Sequence, residues 1–143
     1  MQEDSLDTLL ALAKDIAVEA GRDVMKIYDS GDFDAYQKDD DSPVTSADYR
    51  ANDIINKRLS AATPHIPILS EENKHASLEE RKKWPRYWLI DPIDGTQEFI
   101  ARSGDFAVNI ALIDNNEPVI GVIFWPPGQT LYYASKGQGA FKE

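Results

Sequence analysis

The sequence predicts an α+β fold, with two N-terminal helices packed on a largely antiparallel sheet. Three observations predict it. The first 62 residues carry apolar side chains at helical spacing in two runs. From Phe106 onward the apolar residues instead fall into short strand runs separated by Asn and Gly turn signals. Between these halves, two short apolar runs each end in a pair of acidic residues. Helices first and strands afterwards is the order of an α+β domain rather than of alternating βα units.

The elements follow in order. Leu9, Leu12, Ala13, Ile16, Ala17, Ala20, Val24 and Ile27 form one helical stripe, so a helix spans Leu6 to Tyr28 and stops at Ser30-Gly31. Gly21 lies inside it, where close packing is allowed. Residues Gly31 to Ser42 include Asp32, Asp34, Asp39, Asp40 and Asp41 and read as a solvated loop or an edge hairpin. A second helix runs from Ser46 to Ala62, with Ser and Thr at its start as caps and an apolar stripe of Ala47, Ala51, Ile54, Ile55 and Leu59. Asp48 falls in its first turn, where the helix dipole favours a carboxylate. Pro64 and Pro67 bracket a strand from Ile66 to Leu69, and Ser77 to Trp84 reads as a short helix. Arg86 to Asp91 reads as a buried strand, and Gly95 to Ala101 turns helically. Phe106 to Asp114 and Pro118 to Trp125 form a hairpin about Asn115-Asn116. Leu131 to Ser135 and Ala140 to Lys142 close the pattern around the Lys136-Gly-Gln-Gly139 turn.

Composition narrows the function. At 143 residues the chain suits one domain, and 42% hydrophobic with 28% charged residues reads as soluble and globular. No apolar run approaches the ~20 residues of a membrane helix. The acidic start, Met-Gln-Glu-Asp-Ser, lacks the basic region of a signal peptide. Without cysteine there is no disulfide or thiolate chemistry, in agreement with a cytoplasmic protein. A net charge of −10 argues against a nucleic acid polymer as partner. It also repels an anionic small molecule, unless bound cations invert the local charge.

The chemistry concentrates in Trp88-Leu-Ile-Asp-Pro-Ile-Asp-Gly-Thr-Gln-Glu-Phe99. Asp91 and Asp94 stand at a strand end, with Glu71-Glu72 at the end of the neighbouring apolar run. Clustered carboxylates with no histidine or cysteine nearby suit a hard divalent ion, Mg²⁺ with Mn²⁺ or Ca²⁺ as alternatives, rather than zinc. Gly95 and Thr96 supply backbone N–H groups and a hydroxyl beside them, as a phosphate group requires. Thr96 is placed to position an attacking water, with Asp48 holding its hydroxyl. Taken alone, Asp-Pro-x-Asp-Gly is also an ordinary turn; its company distinguishes it. His65 and His75 read as surface or loop residues, Gly137-x-Gly139 lacks the helix of a dinucleotide loop, and Lys82-Lys83 reads as solvated. Trp84, Trp88 and Trp125 read as core or sheet residues.

Three ordered segments together, Pro43-Val-Thr-Ser-Ala-Asp48, Leu69-Ser-Glu-Glu72 and Trp88-Leu-Ile-Asp-Pro-Ile-Asp-Gly-Thr96, resemble the inositol monophosphatase superfamily of Mg²⁺-dependent, lithium-sensitive phosphatases. Asp94-Gly-Thr-Gln-Glu-Phe99 and Gly104-Asp-Phe-Ala-Val-Asn-Ile-Ala-Leu-Ile113 are similar to the CysQ-type 3'(2'),5'-bisphosphate nucleotidases within it. The resemblance implies hydrolysis of adenosine 3',5'-bisphosphate to AMP and phosphate, in sulfate assimilation and nucleotide recycling. It implies metal ligation by Glu71, Asp91, Asp94 and the carbonyl of Ile93. Glu71, Ile93, Asp94, Gly95 and Thr96 are implied to contact substrate, and Glu71, Thr96 and Asp48 to orient the nucleophilic water. Two or more Mg²⁺ ions are implied as cofactors, with Mn²⁺ as a substitute and Li⁺ and Ca²⁺ as inhibitors. A homodimer and a cytoplasmic setting, with or without peripheral attachment to the inner membrane, are compatible with it. Members of the family continue into a second α/β half carrying a Trp-Asp-x-Ala-Ala-Gly type motif, which has no counterpart here. The resemblance therefore implies that residues 1–143 form the first half of a layered α/β sugar-phosphatase fold, weakly active or inactive alone. The alternatives are an inositol or sugar bisphosphate phosphatase and a non-catalytic metal-binding or assembly module.

Overall fold

The computed structural model describes residues 5–31, 33–38, 43–73 and 77–143. Helix α1 (Leu6–Ser30) and helix α2 (Ser46–Ala62) lie side by side on one face of a six-stranded sheet. A small antiparallel ribbon of β1 (Ala35–Gln37) and β2 (Pro43–Thr45) precedes α2. The main sheet runs in sequence order: β3 (Ile68–Ser70), β4 (Arg86–Asp94), β5 (Ala107–Asp114), β6 (Glu117–Trp125), β7 (Thr130–Ser135) and β8 (Gly139–Lys142). Only β3 and β4 pair in parallel; the other neighbours are antiparallel. Two short helices, α3 (Leu78–Arg81) and α4 (Thr96–Ala101), sit on either side of β4 in the chain.

Helix α1 stops at the expected Ser30-Gly31, and α2 starts at the expected Thr45-Ser46 cap. The Ser5 hydroxyl accepts the N–H of Thr8, and Gly31 closes α1 in the left-handed conformation at φ 68°. The buried stripe of α1 is Leu9, Ala13, Ile16, Ala17, Ala20, Gly21 and Val24. Small residues in its middle let the helix approach β6, so closely that a Cβ on Gly21 would stand 2.3 Å from the ring of the buried Phe124. In the described part of the polar run after α1, β1 is exposed and pairs with β2, which follows the run, in a ribbon separate from the main sheet; Asp32, Asp39, Asp40 and Asp41 lie outside the described residues. His75 does so as well.

Strand β4 carries the site, and its neighbours fix its height. Trp88 is fully buried, and its indole N–H donates to Thr63 Oγ1 at 3.0 Å, tying the strand to the end of α2. Trp88 and Ile90 face the helices, with Val108, Ile110 and Leu112 of β5 and Ile120, Val122 and Phe124 of β6. The strand is not buried on both faces as its apolar run suggests. Leu89 is 41% exposed, and with Ile123, Trp125 and Tyr132 it forms the apolar part of a second face that no helix among the described residues covers. Period-2 alternation puts Asp91 on that open face too. Strand β3 starts two residues later than the apolar run, at Ile68, because Pro67 has no N–H to give; its carbonyl instead accepts from Trp88. The Asn115-Asn116 turn joins β5 to β6 with both residues at positive φ, as a two-residue hairpin requires.

Surface ion pairs join the helices: Arg50 to Asp23 at 2.8 Å, and Arg58 to Asp15 and Glu19. Exposed pairs of this kind add little; apolar burial holds the layers together. Among the described residues no helix is long and apolar enough to cross a membrane. Because Phe124 is buried, Gly21→Ala requires either its ring or α1 to shift. A loss of about 1–3 kcal/mol is expected in urea denaturation, as for other overpacked cores; an unchanged midpoint would show that the helix–sheet spacing is adjustable.

Candidate active site

The site forms where the β4–α4 turn meets the first turn of α2 and the end of β3. Asp48 is its centre, 1% exposed. One of its oxygens completes a capping box, accepting the backbone N–H of Thr45 at 2.9 Å and the Thr45 hydroxyl at 2.6 Å. Its other oxygen accepts the Thr96 hydroxyl at 2.9 Å. Thr96 Oγ1 also lies 3.3 Å from the carbonyl of Ile93. A threonine hydroxyl has one proton to give. With that proton on Asp48, its lone pairs are left to accept from a water.

The turn that presents Thr96 depends on Gly95. This residue adopts φ 95°, and a Cβ there would come within 2.7 Å of the Asp105 carbonyl. Helix α4 is then seated by rings. Phe99 packs against Tyr28, Phe33 and Phe106 with centroids 5.0–5.3 Å apart, and Arg102 donates to the Tyr28 carbonyl at 2.8 Å.

Asp91 pairs with Asn109 across the β4–β5 ladder, after which β4 breaks register before Asp94. The irregularity, at Pro92-Ile93, allows Asp94 to leave the regular alternation. Asn109 donates to Asp94 Oδ2 at 3.2 Å, while its own Oδ1 is buried without a hydrogen-bond partner. Since Ser70 pairs with Ile90, continuing the parallel register by one residue sets Glu71 beside Asp91. The structure divides the acidic pair. Glu71 is exposed, whereas Glu72 is nearly buried and bound to Lys38, whose Nζ lies 2.8 Å and 3.1 Å from its two oxygens.

The electrostatics reveal the convergence. Burial, followed by the charges of Glu71, Asp94, Asp48 and Glu72, raises the pKa of Asp91 from 3.8 to about 7. Partial burial opposes the charge on Lys38, but its hydrogen bond to Glu72 and the charges of Glu72, Glu71 and Asp48 outweigh this and raise its pKa. As the side chains stand, no three acidic or imidazole groups among the described residues close on one point as a metal shell would. The donor set nonetheless fits a hard cation in kind: every group is an oxygen donor, and their mutual repulsion is what a divalent ion relieves.

Each sequence-derived site residue thus has a place. Asp48, Thr96 and the Ile93 carbonyl are joined directly, Asp91 and Asp94 flank the irregularity, Gly95 shapes the turn, and Glu71 stands beside Asp91. Lys38, Asn52 and Asn109 were not singled out. Asn109 had a readable signal, since it interrupts an otherwise apolar strand; Asn52 shares a helix face with Asp48, a polar spacing that by itself reads as solvated. His65 is exposed, as expected.

Residues 5–143 match the model of the inositol monophosphatase family. The 3'(2'),5'-bisphosphate nucleotidase CysQ of Salmonella typhimurium is 50% identical over 129 residues, which are 90% of this chain and 52% of that protein. Its counterpart from Escherichia coli O157:H7 is 46% identical over 139 residues, 96% of this chain and 54% of that protein. Among solved structures, CysQ from Bacteroides thetaiotaomicron superposes with a TM-score of 0.83 at 40% identity, over 96% of this chain and 49% of that one. The suppressor protein suhB from Bartonella henselae gives 0.86 at 32% identity, over 94% and 52%. The chain spans about half the length of the curated relatives it matches. It belongs to the inositol monophosphatase family.

The shift at Asp91 has a signed consequence. Below about pH 3.8 the group is neutral whether the chain is folded or not, and its contribution to stability is fully present. That contribution is lost as pH rises through about 7, where the folded carboxyl ionises. In chelator-treated buffer, Asp91→Asn is expected to be more stable than the unsubstituted chain above pH 7, by ~1–2 kcal/mol after solvent screening. The two melting curves should converge below pH 4. A substitution that destabilises at pH 8 would show that the carboxylate is not under repulsion.

Proposed function

We propose that this member of the inositol monophosphatase family is the first half of a Mg²⁺-dependent phosphomonoesterase, most specifically a 3'(2'),5'-bisphosphate nucleotidase that converts adenosine 3',5'-bisphosphate to AMP and phosphate. The observation that carries the reading is the buried Asp48 carboxylate holding the Thr96 hydroxyl at the turn that also bears Asp91 and Asp94. The named CysQ relatives support the substrate assignment.

Glu71, Asp91, Asp94 and the Ile93 carbonyl would hold the metal, two or more Mg²⁺ ions, with Mn²⁺ acceptable and Li⁺ and Ca²⁺ inhibitory. When bound, such ions supply Lewis-acid stabilisation of phosphoryl charge and ease deprotonation of an attacking water. The protein's own residues do the positioning. Asp48 fixes the direction of the Thr96 hydroxyl, so that its lone pairs are offered to a water. Glu71, beside Asp91, is a second acceptor for that water's protons. The Gly95 and Thr96 amides stand beside the carboxylates as donors to phosphate oxygen. In this reading a C-terminal half, present in the longer relatives, completes the metal site and most of the nucleoside contacts, so turnover by residues 1–143 lies far below that of a full-length relative. The setting is cytoplasmic, and a homodimer is part of the proposal.

Phosphate release from adenosine 3',5'-bisphosphate tests this, with Mg²⁺, with Mg²⁺ plus Li⁺, and with inositol monophosphate as the competing substrate. Weak, Mg²⁺-dependent, lithium-sensitive release is expected, and Thr96→Ala should lower it ~10²-fold or more without changing the fold. Release indifferent to Thr96→Ala would remove the dyad from the mechanism. Preference for inositol monophosphate would move the chain to the sugar-phosphate branch.

The open sheet face favours a second reading, an assembly module. Leu89, Ile123, Trp125 and Tyr132 are 39–46% exposed on one face. Light scattering is expected to show self-association that weakens at low protein concentration. A monomer at all concentrations would count against this reading.

A further inference from the structure

Three asparagine side chains close a ring behind the acidic turn. Asn52 Nδ2 donates to Asn73 Oδ1 at 2.9 Å, Asn73 Nδ2 donates to Asn56 Oδ1 at 2.9 Å, and Asn56 Nδ2 donates to Asn52 Oδ1 at 3.0 Å and to the Asn52 carbonyl at 2.7 Å. Asn52 is only 6% exposed. Its Oδ1 also accepts the hydroxyl of the buried Ser70 at 2.6 Å. Ser70 Oγ in turn accepts the Glu72 N–H at 3.3 Å, and the Asn73 N–H donates to the Ser70 carbonyl at 3.2 Å.

Three of these bonds, Asn52 to Asn73, Asn73 to Asn56 and Ser70 to Asn52, join α2 to the same four-residue turn. Ser70 precedes Glu71 and Asn73 follows Glu72, so both ends of the turn are fastened to α2 while the Glu71 side chain stays exposed. The fastening residues lie one and two helical turns beyond Asp48, on the same helix face. A buried amide must satisfy its donors and acceptors or cost stability. The ring gives each of the three amides a partner at both its oxygen and its nitrogen, and it leaves few other positions for the turn. Nothing in the packing of β3 alone requires this: its three residues pair only with β4.

We infer that the Asn52–Asn73–Asn56 ring, with Ser70, is a positioning device that sets the Glu71 turn against Asp91, using α2 as the common rail for both the Asp48–Thr96 pair and Glu71. The inference rests on the metal-dependent reading above for its functional consequence, and on the hydrogen-bond ring alone for its structural one.

The test uses the full 143-residue chain with Asn52→Ala, the milder Asn73→Ala at the more open corner of the ring, and Ile55→Val as a control for lost stability in the same helix. Two quantities are read: Mn²⁺ affinity by calorimetry, and amide hydrogen exchange at Glu72 and Asn73. Both asparagine variants are expected to weaken Mn²⁺ binding ~10-fold or more, the range seen when a residue supporting a ligand is removed. They should also speed exchange at the two turn amides ~10-fold while leaving Trp88 protected. Ile55→Val should change neither. Turn amides that exchange no faster in Asn52→Ala and Asn73→Ala than in Ile55→Val overturn the inference. So does Mn²⁺ affinity equal to the control's. If the unsubstituted chain binds no Mn²⁺, the metal-dependent reading fails, and the exchange rates alone decide the positioning role.

Discussion

A buried carboxylate with two jobs holds the candidate site together. Asp48 terminates α2 through its capping box with Thr45 and, through its other oxygen, grips the Thr96 hydroxyl 48 residues further along the chain. A capping carboxylate ordinarily faces water. Here it is sealed beneath the β4–α4 turn, so the helix start and the turn can only exist together. The cost of burying a charge is met by three donors, the Thr45 N–H, the Thr45 hydroxyl and the Thr96 hydroxyl. The same bonds that close the helix therefore point a hydroxyl at the place where Asp91 and Asp94 emerge.

Around that contact, the fold supplies rigidity from different sources. The height of β4 is set from below by Trp88, packed among the helices and bonded to Thr63. The turn after it is set from the side by Phe99 and its ring neighbours. Alternation then gives the strand two unlike faces. One is core. The other carries Leu89 and Asp91 in succession, continuing across the ladder to Asn109, Ile123 and Tyr132. Acid and apolar surface thus adjoin on one open face, an arrangement that suits a covering layer as well as a small molecule.

The long helices and the hairpins were legible because their signals are local. Helical period, the Thr45 cap of α2 and the Asn115-Asn116 turn each act within a few residues. The main carboxylates were legible because Asp-Pro-x-Asp-Gly-Thr concentrates them in one segment. What stayed hidden depends on distant pairing. That Arg86 to Asp91 is buried on one face only cannot be read from an apolar run, since Leu89 and Trp88 look alike in sequence. Lys38 gives no local sign of its partner, 34 residues away in Glu72. The polar face Asp48, Asn52, Asn56 was present at spacing i, i+4, i+8, but polar residues on a helix ordinarily read as solvated. Only the arrival of Ser70 and Asn73 makes that face interior.

The distribution of charge explains why the carboxylates are near one another without forming a closed shell. Four carboxylates act on Asp91, and the lysine drawn to them is committed to Glu72. In the absence of a cation the repulsion has two outlets. A proton can stay on Asp91, as its raised pKa indicates, or exposed side chains such as Glu71 and Asp94 can lean into solvent. Both outlets are side-chain adjustments. The backbone cannot adjust in the same way, because Gly95, Asp48 and the asparagine ring fix each of the segments that bear the acids. The result is a frame that holds these backbone segments while Glu71 and Asp94 remain exposed. For the metal-dependent reading proposed above, that division would matter: the ordering of the chain would be completed during folding, leaving only side-chain rotations for the binding step.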